Sequence, residues 1–204
     1  MTDATRDRIV AAATAEFARH GIAGARVERI AKTARTGKER VYAYFRSKEE
    51  LYRFVAGREL AAMAEAVPLD PTDLPGYAGR VHDHAIRHPE RHRLMVWGQL
   101  ELAGEETLPG DPLRESVRRK IEQLRQAQDA GHLDPAWDPE DILVFVSQLA
   151  TSWAGQTSLT PIGEERDAFL AARRTAIVTA VQRLFPAATG DAAPTTATSQ
   201  TTPE

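Results

Sequence analysis

Apolar residues recur at helical spacing along most of this chain, and no stretch shows the alternating apolar and polar pattern of a half-buried β-strand. Glycine and proline separate the periodic stretches, as at Gly21, Pro68, Gly131 and Pro186. Each periodic stretch has an apolar stripe to bury against a neighbour. The sequence therefore predicts an all-α fold of about nine helices.

Local signals mark several of the helix ends. Ser47 stands three residues before Glu50, and Thr36 three residues before Glu39, so both pairs fit a capping box. In the second pair we expect the Thr36 hydroxyl to accept a hydrogen bond from the backbone of Glu39. Asp138 followed by proline marks another start. The longer helices are predicted over about residues 5–20, 48–66, 76–87, 88–104, 112–130, 138–155 and 164–185.

Composition limits the classes of protein that fit the chain. Its 204 residues are 42% hydrophobic, enough for one large or two modest cores. There is no run of 18 apolar residues and no apolar leader at the N-terminus, so we expect no membrane partner and a cytoplasmic location. The absence of cysteine excludes disulfides and thiolate chemistry.

The front of the chain is basic although the whole chain is acidic. Residues 1–53 carry twelve Lys and Arg against seven Asp and Glu, whereas the net charge of the chain is −3. Residues 32–48 carry six cations and only one anion, Glu39, with Tyr42 and Tyr44 interleaved. A short helix with Lys38 and Arg40 near its start is suited to a DNA groove, where such side chains pair with guanine edges and phosphates. The alternative is a solvated basic face on a small helical hairpin.

The front of the chain also resembles a known family. The pattern that carries the resemblance has residues at fixed spacing from residue 9 to residue 51: Ile9, Ala12, Ala13, Phe17, Gly21, Val27, Ile30, Ala31, Ala34, Val41, Tyr42, Tyr44, Phe45, Ser47, Lys48, Glu49 and Leu51. This pattern is similar to the N-terminal domain of TetR-type transcriptional regulators. The resemblance implies a three-helix helix-turn-helix DNA-binding domain over residues 1–47. It further implies a helical ligand-binding and dimerisation domain over 48–186, and we expect a disordered tail over 187–204 because that segment has no large apolar residue.

The resemblance also implies roles for particular side chains. Lys38 and Arg40 stand where family members read bases, and the positions that hold the phosphate backbone are Arg26, Tyr42, Tyr44 and Lys48. The family usually has Gly-Val in the turn, where this chain has Arg35 and Thr36. Arg35 therefore needs either a positive φ or a shifted turn.

The last two long helices predict a homodimer, and the resemblance to the family implies a small-molecule effector of unknown identity. The last two long helices carry more apolar surface than a small domain needs, and small residues there allow close helix approach. The expected dimer interface comprises Phe145, Leu149, Trp153, Phe169, Ala176, Ile177, Ala180 and Leu184. The expected ligand pocket comprises Tyr77, Met95, Trp97, Phe145 and Trp153. The alternative for both sets is plain packing in the core of the monomer.

Other functions have weaker support. His84, His88 and His92 step by four residues, but Pro89 interrupts the run and nothing completes a metal-ligand set, so no metal site is expected. There is also no Gly-rich phosphate loop and no recognisable Ser/His/Asp spacing, so no cofactor and no enzyme activity is expected. The interpretation is a ligand-responsive regulator, a repressor that leaves palindromic operator DNA when its effector binds. The alternative is a ligand-binding or protein-interaction module with a degenerate DNA reader.

Overall fold

The computed structural model describes residues 4–102 and 112–186. Within these ranges it contains nine α-helices and no β-strand, which confirms the all-α prediction. The tail predicted at 187–204 lies outside the described residues. No helix in the two ranges combines the length and the apolar character needed to cross a lipid bilayer.

The first four helices in chain order are the front helices, and five more helices follow them. The first four are α1 (Ala4–Gly24), α2 (Val27–Thr33), α3 (Lys38–Tyr44) and α4 (Lys48–Ala66). The others are α5 (Leu74–Arg87), α6 (Pro89–Glu101), α7 (Pro112–Asp129), α8 (Pro139–Thr151) and α9 (Glu165–Leu184).

The helices begin and end where local chemistry directs. Asp138 accepts a hydrogen bond of 2.7 Å from the backbone of Glu140 at the start of α8, as predicted. Asp73 caps α5 in the same way, through the backbone of Gly76 at 2.8 Å. His88 ends α5 and also precedes the first residue of α6, so these two helices meet at a single residue.

Gly21, which the sequence predicted as the end of the first helix, interrupts α1, and α1 resumes as far as Gly24. Its φ of 69° is in the left-handed region that favours glycine. A Cβ atom at Gly21 would also collide with the side chain of Glu101 and lie 3.1 Å from the ring of Trp97. Only glycine therefore permits the close approach of α6 at this point.

The buried side chains form two cores. The first joins α1, α2, α3 and the first half of α4, and it includes Leu94 of α6. The second joins α5, α7, α8 and α9. Although α6 follows α5 in the chain, it packs mainly against α1, so it lies with the front helices rather than with the body.

Candidate nucleic-acid interface

The turn between α2 and α3 is held by backbone hydrogen bonds and contains a strained arginine. The N–H of Arg35 donates to the carbonyl of Lys32 at 3.2 Å, and the N–H of Thr36 donates to that of Ala31 at 3.0 Å. This pair of bonds is the Schellman arrangement, which requires a left-handed residue after the helix. Arg35 occupies that position with a φ of 53°. Of the two alternatives that the sequence left open at Arg35, the positive φ is therefore the one present, and the turn is not shifted.

The capping box predicted at Thr36 is wrong. Gly37 is the residue that precedes α3, and no side chain caps this helix start. Because the Schellman turn already uses the N–H of Thr36, the helix begins one residue later than a threonine cap would place it. The Glu39 carboxylate instead lies over Gly37.

The second capping box is confirmed at its serine. The Ser47 hydroxyl accepts from the backbone of Glu50 at 3.0 Å and so begins α4. The Glu50 carboxylate accepts in turn from the N–H of Arg46, at 2.9 Å, rather than from that of Ser47. The two bonds fix the angle at which the chain leaves α3.

One face of α3 is anchored in the first core, and this leaves the opposite face in solvent. Val41 is 1% exposed, and Phe45, which directly follows the helix, is 3% exposed. Lys38, Arg40 and Tyr42 are all exposed. The helix therefore presents two cations and a phenol to solvent from a rigid support.

Both expected base readers have contacts within the front helices. The Lys38 ammonium lies 2.5 Å from a carboxylate oxygen of Glu28 on α2. Their hydrogen bond raises the pKa of Lys38 and lowers the pKa of Glu28. The Arg40 guanidinium donates to the Tyr44 hydroxyl at 3.3 Å and lies 5.3 Å from the centre of that ring. Arg40 is thus oriented by Tyr44 before any ligand arrives.

Two more of the expected DNA contacts lie at the segment that joins α1 to α2. Arg26 is exposed at the start of α2, where its backbone N–H donates to the Glu16 carboxylate at 3.0 Å. Lys48 is half-buried, and its ammonium donates to the carbonyls of Ala23 at 3.2 Å and Ala25 at 3.4 Å. Two of the three N–H groups of the Lys48 ammonium therefore donate to backbone carbonyls at and just after the end of α1.

Two family models match the chain, one over its N-terminal part and one over its C-terminal part. Residues 9–55 match bacterial regulatory proteins of the tetR family, and residues 73–183 match the tetracyclin repressor-like C-terminal domain. The chain belongs to the TetR family.

Relatives in this family extend the match over most of the chain. The HTH-type transcriptional repressor SCO4008 of Streptomyces coelicolor is 41% identical over 153 residues, 74% of this chain and 79% of that protein. The repressor AcnR of Corynebacterium diphtheriae is 30% identical over 171 residues, 79% of this chain and 84% of that protein. The solved structure of SCO4942 from Streptomyces coelicolor superposes with a TM-score of 0.72 at 54% identity, covering 89% of this chain and 98% of that one.

Membership in the TetR family makes the protein a DNA-binding transcriptional regulator. Members of the family are regulatory proteins rather than enzymes, and control by a bound ligand is typical of them. The three-helix DNA-binding domain, the reader, and the helical C-terminal domain both correspond to the predicted architecture.

The residues expected to line a ligand pocket of this TetR-family protein are divided between its two cores. Met95 packs against the first core, and Trp97 lies beside Gly21 of α1. Tyr77 is 1% exposed within the second core, and its hydroxyl accepts from the Lys120 ammonium at 3.2 Å.

The other two expected pocket residues are on α8 or just beyond it. Phe145 is 41% exposed and contacts the edge of the Trp137 ring, with 6.0 Å between centroids. Trp153 packs edge-on against Phe169, at 5.4 Å. These contacts place Phe145 and Trp153 in the body, where Tyr77 also lies.

A cleft elsewhere in the body has a volume of about 670 Å³ and lies between α5 and α9. Arg174 closes one wall by donating to both carboxylate oxygens of Asp83, at 3.0 and 2.9 Å. The cleft is lined by His82, Asp83, Ile86, Arg87, Arg166, Asp167, Leu170, Ala171 and Arg174. None of the five expected pocket residues is among them.

The residues expected at a dimer interface are mostly accessible in the single chain. Phe145 and Leu184 are 41% and 40% exposed, and Ala176 is exposed as well. The residues Leu149, Trp153, Phe169 and Ala180 are half-buried. Ile177 differs, because it is 4% exposed and lies in the core of its own subunit, where the inner face of α9 meets the second core. Val144, which was not expected at the interface, is 52% exposed on α8.

The histidines form no ligand set in the part of the chain that the structure describes. His84 and His88 lie with ring centroids 4.7 Å apart, but no group of three or more His, Cys, Asp or Glu residues in those ranges is arranged to hold a metal ion. His82 is 2% exposed, and its Nδ1 lies 3.3 Å from the carbonyl of Ala150. Burial lowers the pKa of His82, as it does for His84 and His92.

Two carboxylates near the reader were not identified from the sequence. Glu28 pairs with Lys38, as described above, and Glu101 on α6 accepts from the backbone N–H of Ala23 at 2.6 Å. No local pattern marks either residue, because the partners are 10 and 78 positions apart in the chain.

Proposed function

We propose that the protein is a homodimeric repressor that binds a palindromic operator and leaves it when a small molecule binds the C-terminal domain. The observation that carries the proposal is the exposure of Lys38 and Arg40 on α3, a helix that the buried Val41 anchors in the first core. The relatives SCO4008 and AcnR are named as repressors, which supports repression rather than activation.

The proposed DNA contacts follow from the chemistry of the exposed side chains. Lys38 and Arg40 would read bases, because cationic donors pair with the acceptors on guanine in the major groove. The phosphate backbone would be held by Arg26, Tyr42, Tyr44 and Lys48. Tyr44 would also keep Arg40 extended, since their hydrogen bond of 3.3 Å is already present without DNA.

The proposed dimer uses the exposed apolar face of α8 and α9. Val144, Phe145 and Leu184 together expose apolar surface that a second copy would cover. Around them the proposed interface includes Leu149, Trp153, Phe169, Ala176 and Ala180, whereas Ile177 supports these residues from inside the subunit. A two-fold axis places two reader helices about 34 Å apart, one turn of DNA, or a multiple of that distance.

Effector control is proposed as a shift between two states of the dimer. Without effector, both α3 helices stand at the spacing of the operator half-sites. An effector that binds more tightly to a state with a different spacing of the two α3 helices reduces operator affinity. The reduction equals the difference between its binding free energies for the two states. We place the effector in the C-terminal domain, with Tyr77, Phe145 and Trp153 as contacts in the body and Met95 and Trp97 as contacts towards the reader. The proposed site of action is the compartment that holds the chromosome, the cytoplasm.

Selection from random duplexes tests the DNA-binding part of the proposal. The full-length protein should enrich a palindrome from a pool of random duplexes, and it should bind that duplex far more tightly than a scrambled one. Replacing Arg40 with Ala should cost about 1–3 kcal/mol on the selected sequence and relax the preference at one position per half-site. Arg125→Ala is the matched control, because Arg125 is exposed on α7 in the body.

Two results would count against this function. If no sequence is enriched, and duplex binding is weak and equal for all sequences, the chain is a module with a degenerate reader. If Arg40→Ala keeps the full sequence preference while the wild type has one, Arg40 is not a base reader.

A further inference from the structure

The short segment after Gly21, at the end of α1, is held by two helices outside the predicted DNA-binding domain of residues 1–47. These helices are α4 and α6. Its Ala23 N–H donates to a carboxylate oxygen of Glu101 on α6, at 2.6 Å. The carbonyl of the same residue accepts from the Lys48 ammonium on α4, at 3.2 Å. One residue of α1 thus joins the reader to both α4 and α6.

Other contacts fix α6 against the reader, so the bond at Glu101 is part of a rigid junction. Leu94 is fully buried in the first core, and its carbonyl accepts from the Tyr52 hydroxyl at 2.7 Å. Burial raises the pKa of Tyr52 to about 12, which keeps this hydroxyl protonated as a donor. The Trp97 ring packs over Gly21, directly before the held segment.

The held segment leads directly into the proposed DNA contacts. Ala25 is 4% exposed, and Arg26 follows it as the residue that begins α2. The Arg26 N–H is fixed by Glu16, at 3.0 Å. A displacement of Ala23 would therefore be passed to Arg26 and to the orientation of α2.

We propose that Glu101 is a positioning residue, which fixes the angle of the reader on α6, the helix that continues from α5 of the body, through its hydrogen bond to Ala23. Glu101 works through the backbone that precedes Arg26, and in the dimer it restricts the distance between the two α3 helices. This inference rests on the proposed function, since it presupposes an operator with two half-sites.

Three substitutions separate the hydrogen bond of Glu101 from its charge. Glu101→Ala removes both, and Glu101→Asp keeps the charge but is one methylene too short to reach Ala23. Glu101→Gln removes the charge, while its amide oxygen still accepts. Glu65→Ala removes the same charge from an exposed site on α4 and is the control.

The discriminating measurement is the ratio of affinities for two duplexes. One is the operator selected as above, and the other has one base pair inserted between its half-sites. In Glu101→Ala and Glu101→Asp we expect operator affinity to fall about tenfold, within the range of measured couplings between sites, and the ratio to fall with it because a looser reader tolerates the altered spacing. Glu101→Gln and Glu65→Ala should keep the wild-type ratio.

A role in stability alone would lower the affinity for both duplexes equally and leave their ratio unchanged, and this result would overturn the proposal. The proposal also fails if Glu101→Gln is as defective as Glu101→Ala, since the charge rather than the bond would then matter. If Glu101→Ala does not fold, the Asp and Gln variants give the same comparison. Failure of the wild type to select any operator would contradict the proposed function instead and is seen before any variant is made.

Discussion

The Lys38 ammonium and the Glu28 carboxylate join the start of α3 to the start of α2, with 2.5 Å between nitrogen and oxygen. Lys38 is 45% exposed and Glu28 63% exposed, so solvent weakens their attraction. The pair nevertheless occupies a side chain that we propose as a base reader. DNA must therefore compete with Glu28 for Lys38.

Replacing Glu28 with Gln should strengthen binding to DNA. The change releases Lys38 and removes a negative charge beside the phosphate backbone, so affinity should rise severalfold for all duplexes. Fluorescence anisotropy over a series of salt concentrations measures this effect. Asp129→Asn, which removes a charge at the end of α7, should leave the affinity unchanged. If the Glu28 variant binds DNA more weakly than the wild type, the ion pair instead orients Lys38 for contact with the bases.

Replacing Arg35 with Gly should stabilise the fold. Arg35 has a φ of 53°, a left-handed conformation that costs a residue with a Cβ about 1–2 kcal/mol. Part of this gain is lost to the greater freedom of glycine in the unfolded chain, so we expect a net gain of about 0.5–1 kcal/mol in urea unfolding.

The matched control for Arg35 is at the end of α7. Gly131 occupies the same position of an equivalent turn, with a φ of 75°, and His132 donates to Ala127 at 2.8 Å. Gly131→Ala should destabilise by about 1 kcal/mol, because nothing but the backbone conformation opposes the methyl group. If the two substitutions change stability in the same direction, backbone strain at Arg35 is not the cause.

Stability should decrease as the solution is acidified below neutrality. Burial lowers the pKa of His82 in the folded protein, whereas its ordinary value in an unfolded chain is about 6.5. Between these two values the unfolded chain holds the proton and the folded protein does not. The contribution of His82 is therefore complete above pH 6.5 and is lost as the pH falls towards its folded-state pKa, by at most about 1.4 kcal/mol per pH unit.

Urea unfolding between pH 5 and pH 8 measures this dependence. His82→Asn should reduce the slope, because the Asn amide still donates to the carbonyl of Ala150 without titrating. Some slope should remain, since burial also lowers the pKa of His84 and His92. The exposed His132 replaced by Asn is the control, and an unchanged slope in the His82 variant would assign the effect elsewhere.

The exposed faces of α8 and α9 should hold the dimer together. Phe145→Asp combined with Leu184→Asp should yield a monomer, since covering the exposed part of each apolar side chain is worth up to about 1 kcal/mol in each copy and a buried carboxylate adds a penalty. Sedimentation velocity measures the change in mass, and operator affinity should fall at least tenfold as the two readers separate. Val117→Asp, at a residue 39% exposed on α7, should remain dimeric. A wild-type protein that is monomeric at micromolar concentration would contradict this interface.

The sequence by itself determined the helices and the family, because both depend on residues close together in the chain. Periodic apolar residues, the Ser47 and Asp138 caps and the break at Gly21 act over one or two turns. At Arg35 the sequence left a positive φ and a shifted turn as alternatives, and the structure has the positive φ. The Thr36 capping box was wrong even at this range, because the Schellman turn and the capping box compete for the same backbone groups. The family pattern, which extends over many positions, identified the reader helix despite that error.

Only the tertiary structure decided which side chains meet. Glu101 reaches Ala23 across 78 positions, Glu28 pairs with Lys38 on the next helix, and α6 lies with the reader instead of the body. The expected pocket residues were chosen for their apolar character, yet packing divided them between two cores. The physical reason is that apolar periodicity shows which face of a helix is buried, whereas the partner of that face depends on how all the helices pack at once.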